Sequence, residues 1–162
     1  MKENFRKGWF VYLYQELTHQ IIAAAIEVHK NLGPGLLEAV YRLCLGIELE
    51  NRGLQYQREL AISLSYKERK IDPCFRLDFL VENKIILELK SIENVLSVHM
   101  AQLLTYLRLA EKQVGLLINF NVPTLKTGIH RRILSVQDNC HPYDAKVSNF
   151  SSTERRHEAL KR

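Results

Sequence analysis

Cysteine is scarce in this chain and badly spaced for structural work. Cys44, Cys74 and Cys140 are odd in number, far apart and form no C-x-x-C pair. That argues against a disulfide framework or a zinc knuckle, and for reduced thiols in a cytoplasmic protein. No apolar run is long enough to span a bilayer, so no membrane partner is expected. The nearest candidate is Gly8-Trp9-Phe10-Val11-Tyr12-Leu13-Tyr14, preceded by Lys2, Arg6 and Lys7. It superficially resembles a signal peptide but gives way to Gln15-Glu16 without a small-residue cleavage site. The chain also lacks internal repeats, a P-loop, a Ser/His/Asp order and a Cys/His pair. Nor does one sign of charge dominate: 23 Lys and Arg against 18 Asp and Glu leave a net charge of +5, which permits nucleic acid as a partner without demanding it.

What is present fits one soluble domain. A chain of 162 residues can bury about two-thirds of its unfolded surface, enough for a real core. Residues 1–14 read as an aromatic N-terminal extension whose Trp9, Phe10, Tyr12 and Tyr14 dock on the domain or on a partner, a route to a homodimer. Residues 15–138 carry the periodic segments and form the domain. Residues 139–162 form a polar, basic tail, expected to be mobile unless Ser152 to Leu160 closes into a short helix. From Lys126 onward eight basic residues (Lys126, Arg131, Arg132, Lys146, Arg155, Arg156, Lys161, Arg162) stand against four acids.

Hydrophobic periodicity predicts a helix over 16–32, with Ile21, Ile22, Ala25, Ile26 and Val28 on its apolar face and Gly33-Pro34 stopping it. A second helix follows over 36–52, with Val40, Cys44, Ile47 and Leu49 as its apolar surface and Gly53 after its end. Residues 57–66 alternate as a strand, and Lys67-Glu68-Arg69-Lys70 read as a charged turn. Residues 97–112 are amphipathic, with Met100, Leu103, Leu104 and Leu107 turned inward. The continuous apolar run 114–120 reads as a central strand, and 131–136 as a final one. Two helices, three strands, a helix and two strands make a mixed α/β domain.

The most informative stretch lies inside that order. Residues Arg76 to Lys90 read R-L-D-F-L-V-E-N-K-I-I-L-E-L-K, two apolar strands folded back around Glu82-Asn83-Lys84. A turn centred on Asn83 puts Asp78 opposite Glu88. Two carboxylates directly across a ladder repel, so the pair needs something positive near it. Lys90 shares a face with Glu88, while Leu87 and Leu89 point the other way into a core. An Asp, a Glu and a Lys on one side of an apolar hairpin point to a divalent-metal site with a cationic partner.

Asp78 followed by Glu88-Leu89-Lys90 resembles the signature of the PD-(D/E)XK nuclease superfamily. The proline of that name is absent, Leu77 standing before Asp78. Gly35-Leu36-Leu37-Glu38-Ala39-Val40-Tyr41 resembles the pattern of the GxxExxY branch of the superfamily. Gln102-Leu103-Leu104-Thr105-Tyr106 is similar to the Q-x-x-x-Y helix motif of its exonuclease-like members. Gly115 to Phe120 and Gly128 to Arg132 resemble the branch's closing segments, so the match runs in order from about Leu17 to Leu134.

The resemblance implies a restriction-endonuclease-like core, a mixed sheet flanked by helices after two N-terminal helices, and Mg²⁺-dependent cleavage of DNA, with Mn²⁺ as the alternative ion. Asp78 and Glu88 would bind the metal, with the Leu89 carbonyl a third oxygen and Glu38 a further ligand, direct or through water. Lys90 would orient or help deprotonate the attacking water. Gln102 and Tyr106, four apart on one helical face, and His99 beside them would position phosphate or water. On the charge pattern, Lys126, Arg131 and Arg132, with the basic tail, are expected to hold the nucleic acid. His29 and His130 read as local structural or phosphate contacts, and Tyr41 as packing with a hydroxyl hydrogen bond. Two other classes remain open. One is a non-catalytic nucleic-acid-binding domain on this fold, which usually loses one of Asp78, Glu88 and Lys90. The other is a homodimeric interaction protein, whose N-terminal aromatics would not be buried in their own chain.

Overall fold

The computed structural model describes residues 13–134. The aromatics Trp9, Phe10 and Tyr12, with the dimer surface expected of them, lie outside the described residues, as do Val136, Cys140 and the basic tail. The elements are α1 (Gln15–Leu32), α2 (Glu38–Asn51), β1 (Tyr56–Tyr66), β2 (Arg69–Val81), β3 (Ile85–Lys90), α3 (Ser97–Leu109), β4 (Val114–Asn119), a 3₁₀ turn (Leu125–Gly128) and β5 (Ile129–Ile133). Among the described residues the sheet is five-stranded in the order β1-β2-β3-β4-β5. Only β3 and β4 are parallel, and α3 is the crossover a parallel pair requires.

Helices cover both faces. Ile21, Ala25 and Val28 of α1 and Tyr41, Leu45 and Leu49 of α2 pack on Phe79, Leu87, Leu89, Leu116 and Ile118. On the other face Leu103, Tyr106 and Leu107 of α3 pack on Leu77, Leu80, Ile86 and Leu117. A strand covered on both faces cannot alternate between apolar and polar residues. That is why β4 reads as one apolar run, with all six of its residues buried, and why only Glu88 and Lys90 interrupt the apolar character of β3.

Three expectations change. Val40 and Ile47 were expected to be buried, yet both are exposed, and α2 instead buries Tyr41, Leu45, Gly46 and Leu49. The helix is apolar nearly all round, so its periodicity leaves the inner face undecided. Tyr41 decides it by stacking on Phe120 at 4.4 Å, and Gly46 allows the close approach, since a Cβ there would come 2.9 Å from the Tyr56 hydroxyl. The charged turn is also shorter than four residues. Tyr66 pairs with Arg69, leaving Lys67 and Glu68 at φ 46° and 63°, the two left-handed residues of a hairpin turn whose twist matches its strands. Arg69 and Lys70 thus open β2. The last strand starts at Ile129, earlier than expected, because Ile129 pairs with Ile118.

One close approach locks the end of β4 nearest Lys90. A Cβ on Gly128 would lie 2.2 Å from the Asn119 carbonyl oxygen, far inside contact distance and against backbone that cannot rotate aside. Asn119 in turn holds the loop after β3: its amide donates to the Ile92 carbonyl (2.8 Å) and its Oδ1 accepts from the Ile92 N–H (3.1 Å). Gly128→Ala is therefore expected to destabilise the fold by about 1–3 kcal/mol, as over-packing does. Urea unfolding measures this, and a midpoint indistinguishable from wild type would show that the close approach is not real.

Candidate active site

The site forms where β2 and β3 separate. Their ladder runs Val81↔Ile85, Leu80↔Ile86, Phe79↔Leu87, the register expected from a turn centred on Asn83 and the one that sets Asp78 level with Glu88. Beyond Phe79↔Leu87 no further backbone pair forms. The Leu89 N–H instead donates to Asp78 Oδ2 at 2.8 Å, so a side-chain carboxylate takes the place of a strand carbonyl. β2 also loses its strict alternation here: Leu77 and Leu80 belong to the α3-side core and Phe79 to the α1/α2-side core. Asp78 occupies the fork between the two strands. On β1, Glu59 lies between the paired residues Arg58 and Leu60 and takes a left-handed φ of 54°.

Glu88 and Lys90 share the face of β3 opposite Leu87 and Leu89, as their spacing predicts, and Lys90 Nζ donates to Glu88 Oε1 at 2.7 Å. Glu88 is only 4% exposed. Its second oxygen, Oε2, is buried without a hydrogen-bond partner. A buried, unpaired carboxylate oxygen is costly, and a native structure keeps one only for a reason. Burial, opposed by the Lys90 hydrogen bond and aided by the charges of Asp78 and Glu38, raises the Glu88 pKa to about 7. For Lys90, burial pulls the pKa down, but the Glu88 hydrogen bond and the charges of Glu88, Glu38 and Asp78 outweigh it, so the net shift is upward and the ammonium stays charged.

Glu38, in the first turn of α2, is tied to the same site through Arg42, which contacts both Glu38 and Asp78, and its charge helps raise the Glu88 and Lys90 pKa values. Between Glu38 and Asp78 lies a residue that the sequence reading did not single out. Arg42 donates from Nη2 to Glu38 Oε1 (3.0 Å) and sets Nε 2.8 Å from Asp78 Oδ1. Its Nη1 is 3.8 Å from Glu59 Oε1. The signal was available: Glu38 and Arg42 are four apart, the helical ion-pair spacing, but that spacing ordinarily marks a solvated surface pair. No three His, Cys, Asp or Glu side chains stand together as a ready cation cage among the described residues, and Arg42 bridges Glu38 and Asp78.

The remaining expected site residues divide. Gln102 and Tyr106 join each other, the Gln102 amide donating to the Tyr106 hydroxyl at 2.5 Å. Burial chiefly, with the Glu88 charge, raises the Tyr106 pKa, and its ring packs in the core on the α3 side of the sheet. His99 turns instead to its own helix, its Nδ1 accepting the Leu96 N–H at 3.0 Å. Arg131 lies on the opposite face of the sheet: it shares a face with Ile129, which packs on the α1 side, and its Nη2 donates to the Leu13 carbonyl at 2.6 Å. Arg132 is exposed on the same strand. Tyr41 packs and hydrogen-bonds, donating to the Gly33 carbonyl (2.6 Å) and accepting from the Leu36 N–H (3.1 Å), which fixes the tight loop ahead of Glu38.

The raised Glu88 pKa has a definite sign in stability. Between its ordinary value of 4.5 and about 7, the folded protein holds a proton that the unfolded chain has released. The Glu88 contribution is thus complete below pH 4.5 and lost as pH rises through about 7. In EDTA, wild type should lose stability relative to Glu88→Gln on going from pH 5 to 8, by on the order of 2 kcal/mol. Parallel stability curves for the two proteins would rule out the shift.

A family model described as PD-(D/E)XK nuclease superfamily matches residues 15–132. No significant match was found among curated proteins or solved structures. The matched span contains Glu38, Arg42, the fork residues and the Gln102–Tyr106 pair, on a mixed sheet with helices on both faces. The chain belongs to the PD-(D/E)XK nuclease superfamily.

Proposed function

We propose that this protein is a Mg²⁺-dependent nuclease of the GxxExxY branch that hydrolyses phosphodiester bonds of DNA at the fork between β2 and β3. The observation that carries the reading is the buried, unpartnered Glu88 Oε2, level with Asp78 and ion-paired through its other oxygen to Lys90. Members of the superfamily generally use divalent metals. The donors at the fork are all hard oxygens, the set that Mg²⁺ or Mn²⁺ prefers over softer ions. Asp78 and Glu88 would hold the cation, with the Leu89 carbonyl implied by the family and Glu38 adding an oxygen directly or through water. Such an ion neutralises phosphate charge and lowers the pKa of bound water.

The protein's own groups supply the rest. Lys90, kept charged by three carboxylates, is a fixed cation beside the nucleophilic water and stabilises charge developing on the phosphate. Tyr106, braced by Gln102, presents a neutral hydroxyl from the α3 side that can hydrogen-bond phosphate oxygen or water. Asp78 holds the Leu89 N–H and thereby fixes the backbone between Glu88 and Lys90. A carboxylate-rich site repels DNA, so cations must line the approach. The exposed Lys126 suits that role, because its 3₁₀ turn follows the end of β4 that pairs with Lys90. Arg132 could extend such a rail, whereas Arg131 faces away. With no long insertion to read bases among the described residues, the domain would recognise backbone more than sequence.

Cleavage of single-stranded, duplex and branched DNA, with RNA counterparts, tests the proposal. Activity is expected with Mg²⁺ or Mn²⁺ and not in EDTA. Asp78→Asn and Lys90→Ala should each lower it by at least about 100-fold while leaving the folded circular dichroism spectrum intact. DNA binding without cleavage of any substrate would favour a non-catalytic binding domain. Undiminished activity in Lys90→Ala would move the chemistry elsewhere.

A further inference from the structure

Arg42 occupies an unusual position for a helix-surface arginine. Its side chain is 20% exposed, and the three acids around it come from three elements: Glu38 from α2, Asp78 from β2 and Glu59 from β1. Its contact with Asp78 is close but imperfect. Nε lies 2.8 Å from Oδ1, yet this buried N–H has no aligned hydrogen-bond acceptor. The attraction is therefore mainly between charges, without the directional bidentate fork that makes arginine–carboxylate pairs strong. The third acid is set apart. Glu59 Oε1 stands 3.8 Å from Arg42 Nη1 and 3.6 Å from Arg76 Nη1, too far for a tight pair with either. Its backbone sits at φ 54°, a conformation that costs energy for a residue with a side chain and that tends to gather at functional sites.

We propose that Arg42 is a displaceable internal counter-ion. In the metal-free protein it neutralises Asp78 and Glu38. A divalent cation entering the fork competes with it for those oxygens, and the displaced guanidinium is received by Glu59. The inference rests on the metal-dependent reading of the site and adds a second state to it. Charge balance supports the exchange. Asp78, Glu38 and Glu88 are opposed here by Arg42 and Lys90, and a divalent ion on the same carboxylates makes the Arg42 charge surplus there. A guanidinium cannot discard its charge by losing a proton, so it must move to another anion, and Glu59 is the carboxylate already within 4 Å of it. The unpartnered Glu88 Oε2 is the independent sign that the fork lacks one cationic partner even with Arg42 in place. Displaced toward Glu59, the guanidinium would remain beside the site as a donor for a substrate phosphate.

Mn²⁺ binding, followed by calorimetry and by the electron paramagnetic resonance of the free ion, tests this without any turnover. Arg42→Gln should bind Mn²⁺ about tenfold more tightly than wild type, because a competing charge a few ångströms away is gone. Glu59→Gln should weaken Mn²⁺ binding about threefold in the wild-type background and leave it unchanged in the Arg42→Gln background, the coupling expected if Glu59 acts through Arg42. In wild type, the ¹⁵N resonance of Arg42 Nε should shift as Mg²⁺ is added, a measurement that needs no variant to fold. Weaker or equal Mn²⁺ binding by Arg42→Gln, or an unmoved Nε resonance at saturating Mg²⁺, would overturn the exchange while leaving the metal site standing. Absence of Mn²⁺ binding in wild type and both variants would remove the metal-dependent reading and this inference together.

Discussion

Everything at the fork depends on one carboxylate, Glu88, being buried with only one of its two oxygens satisfied. A neutral residue of similar shape would be cheaper there, since isolated charges and orphan acceptors are both disfavoured in a dry interior. Glu88 is kept by position: it lies in a strand covered on both faces, level with Asp78, next to a lysine on its own face. The surrounding structure reads as a set of responses to that charge. Lys90 answers one oxygen. Asp78 and Glu38, which would aggravate the repulsion, are themselves bridged by Arg42. Burial chiefly drives the upward shift of Glu88, whereas Lys90 is raised against its own burial by the Glu88 hydrogen bond and the crowded carboxylates.

The fold supplies the crowding by simple means. A short turn at Glu82–Lys84 fixes the register of β2 against β3, so Asp78 can only arrive beside Glu88. The ladder then opens, and the Asp78 side chain substitutes for a backbone acceptor, which holds the acid in place without a further element. α2 brings Glu38 and Arg42 over the opening because Tyr41, one turn on from Glu38, is anchored on Phe120 and on the loop carbonyl of Gly33. Asn119 and Gly128 secure the strand end on the other side of Lys90. Packing residues thus set the geometry, and the charged residues inherit it.

Much of this was legible in the sequence where a period or a turn determines geometry. The face shared by Glu88 and Lys90, the register about Asn83, the burial of β4 and the order of elements all follow from two-residue alternation and local turn chemistry. Other features depend on tertiary choice. Val40 and Ile47 look as apolar as Leu45, and only the Tyr41 stack and the bare Gly46 surface select the inner face of α2. His99 has the right spacing to join Gln102, but its ring caps the N–H of Leu96 instead. Arg131 and Arg132 are neighbours in sequence, and strand alternation sends them to opposite faces. Arg42 carried only the signature of an ordinary helical ion pair, because its second and third partners are on strands far away in the chain. The left-handed conformation of Glu59 has no sequence signal at all.

Anomalous diffraction from crystals grown with Mn²⁺ is the most direct measurement of the central claim, that the buried carboxylates at the fork exist to hold a divalent cation. The expected result is one strong peak between Asp78 and Glu88, with Glu88 Oε2 among its ligands and the Arg42 guanidinium moved off Asp78. A map without a peak at the fork under saturating Mn²⁺, with Arg42 still bridging Glu38 and Asp78, would contradict it.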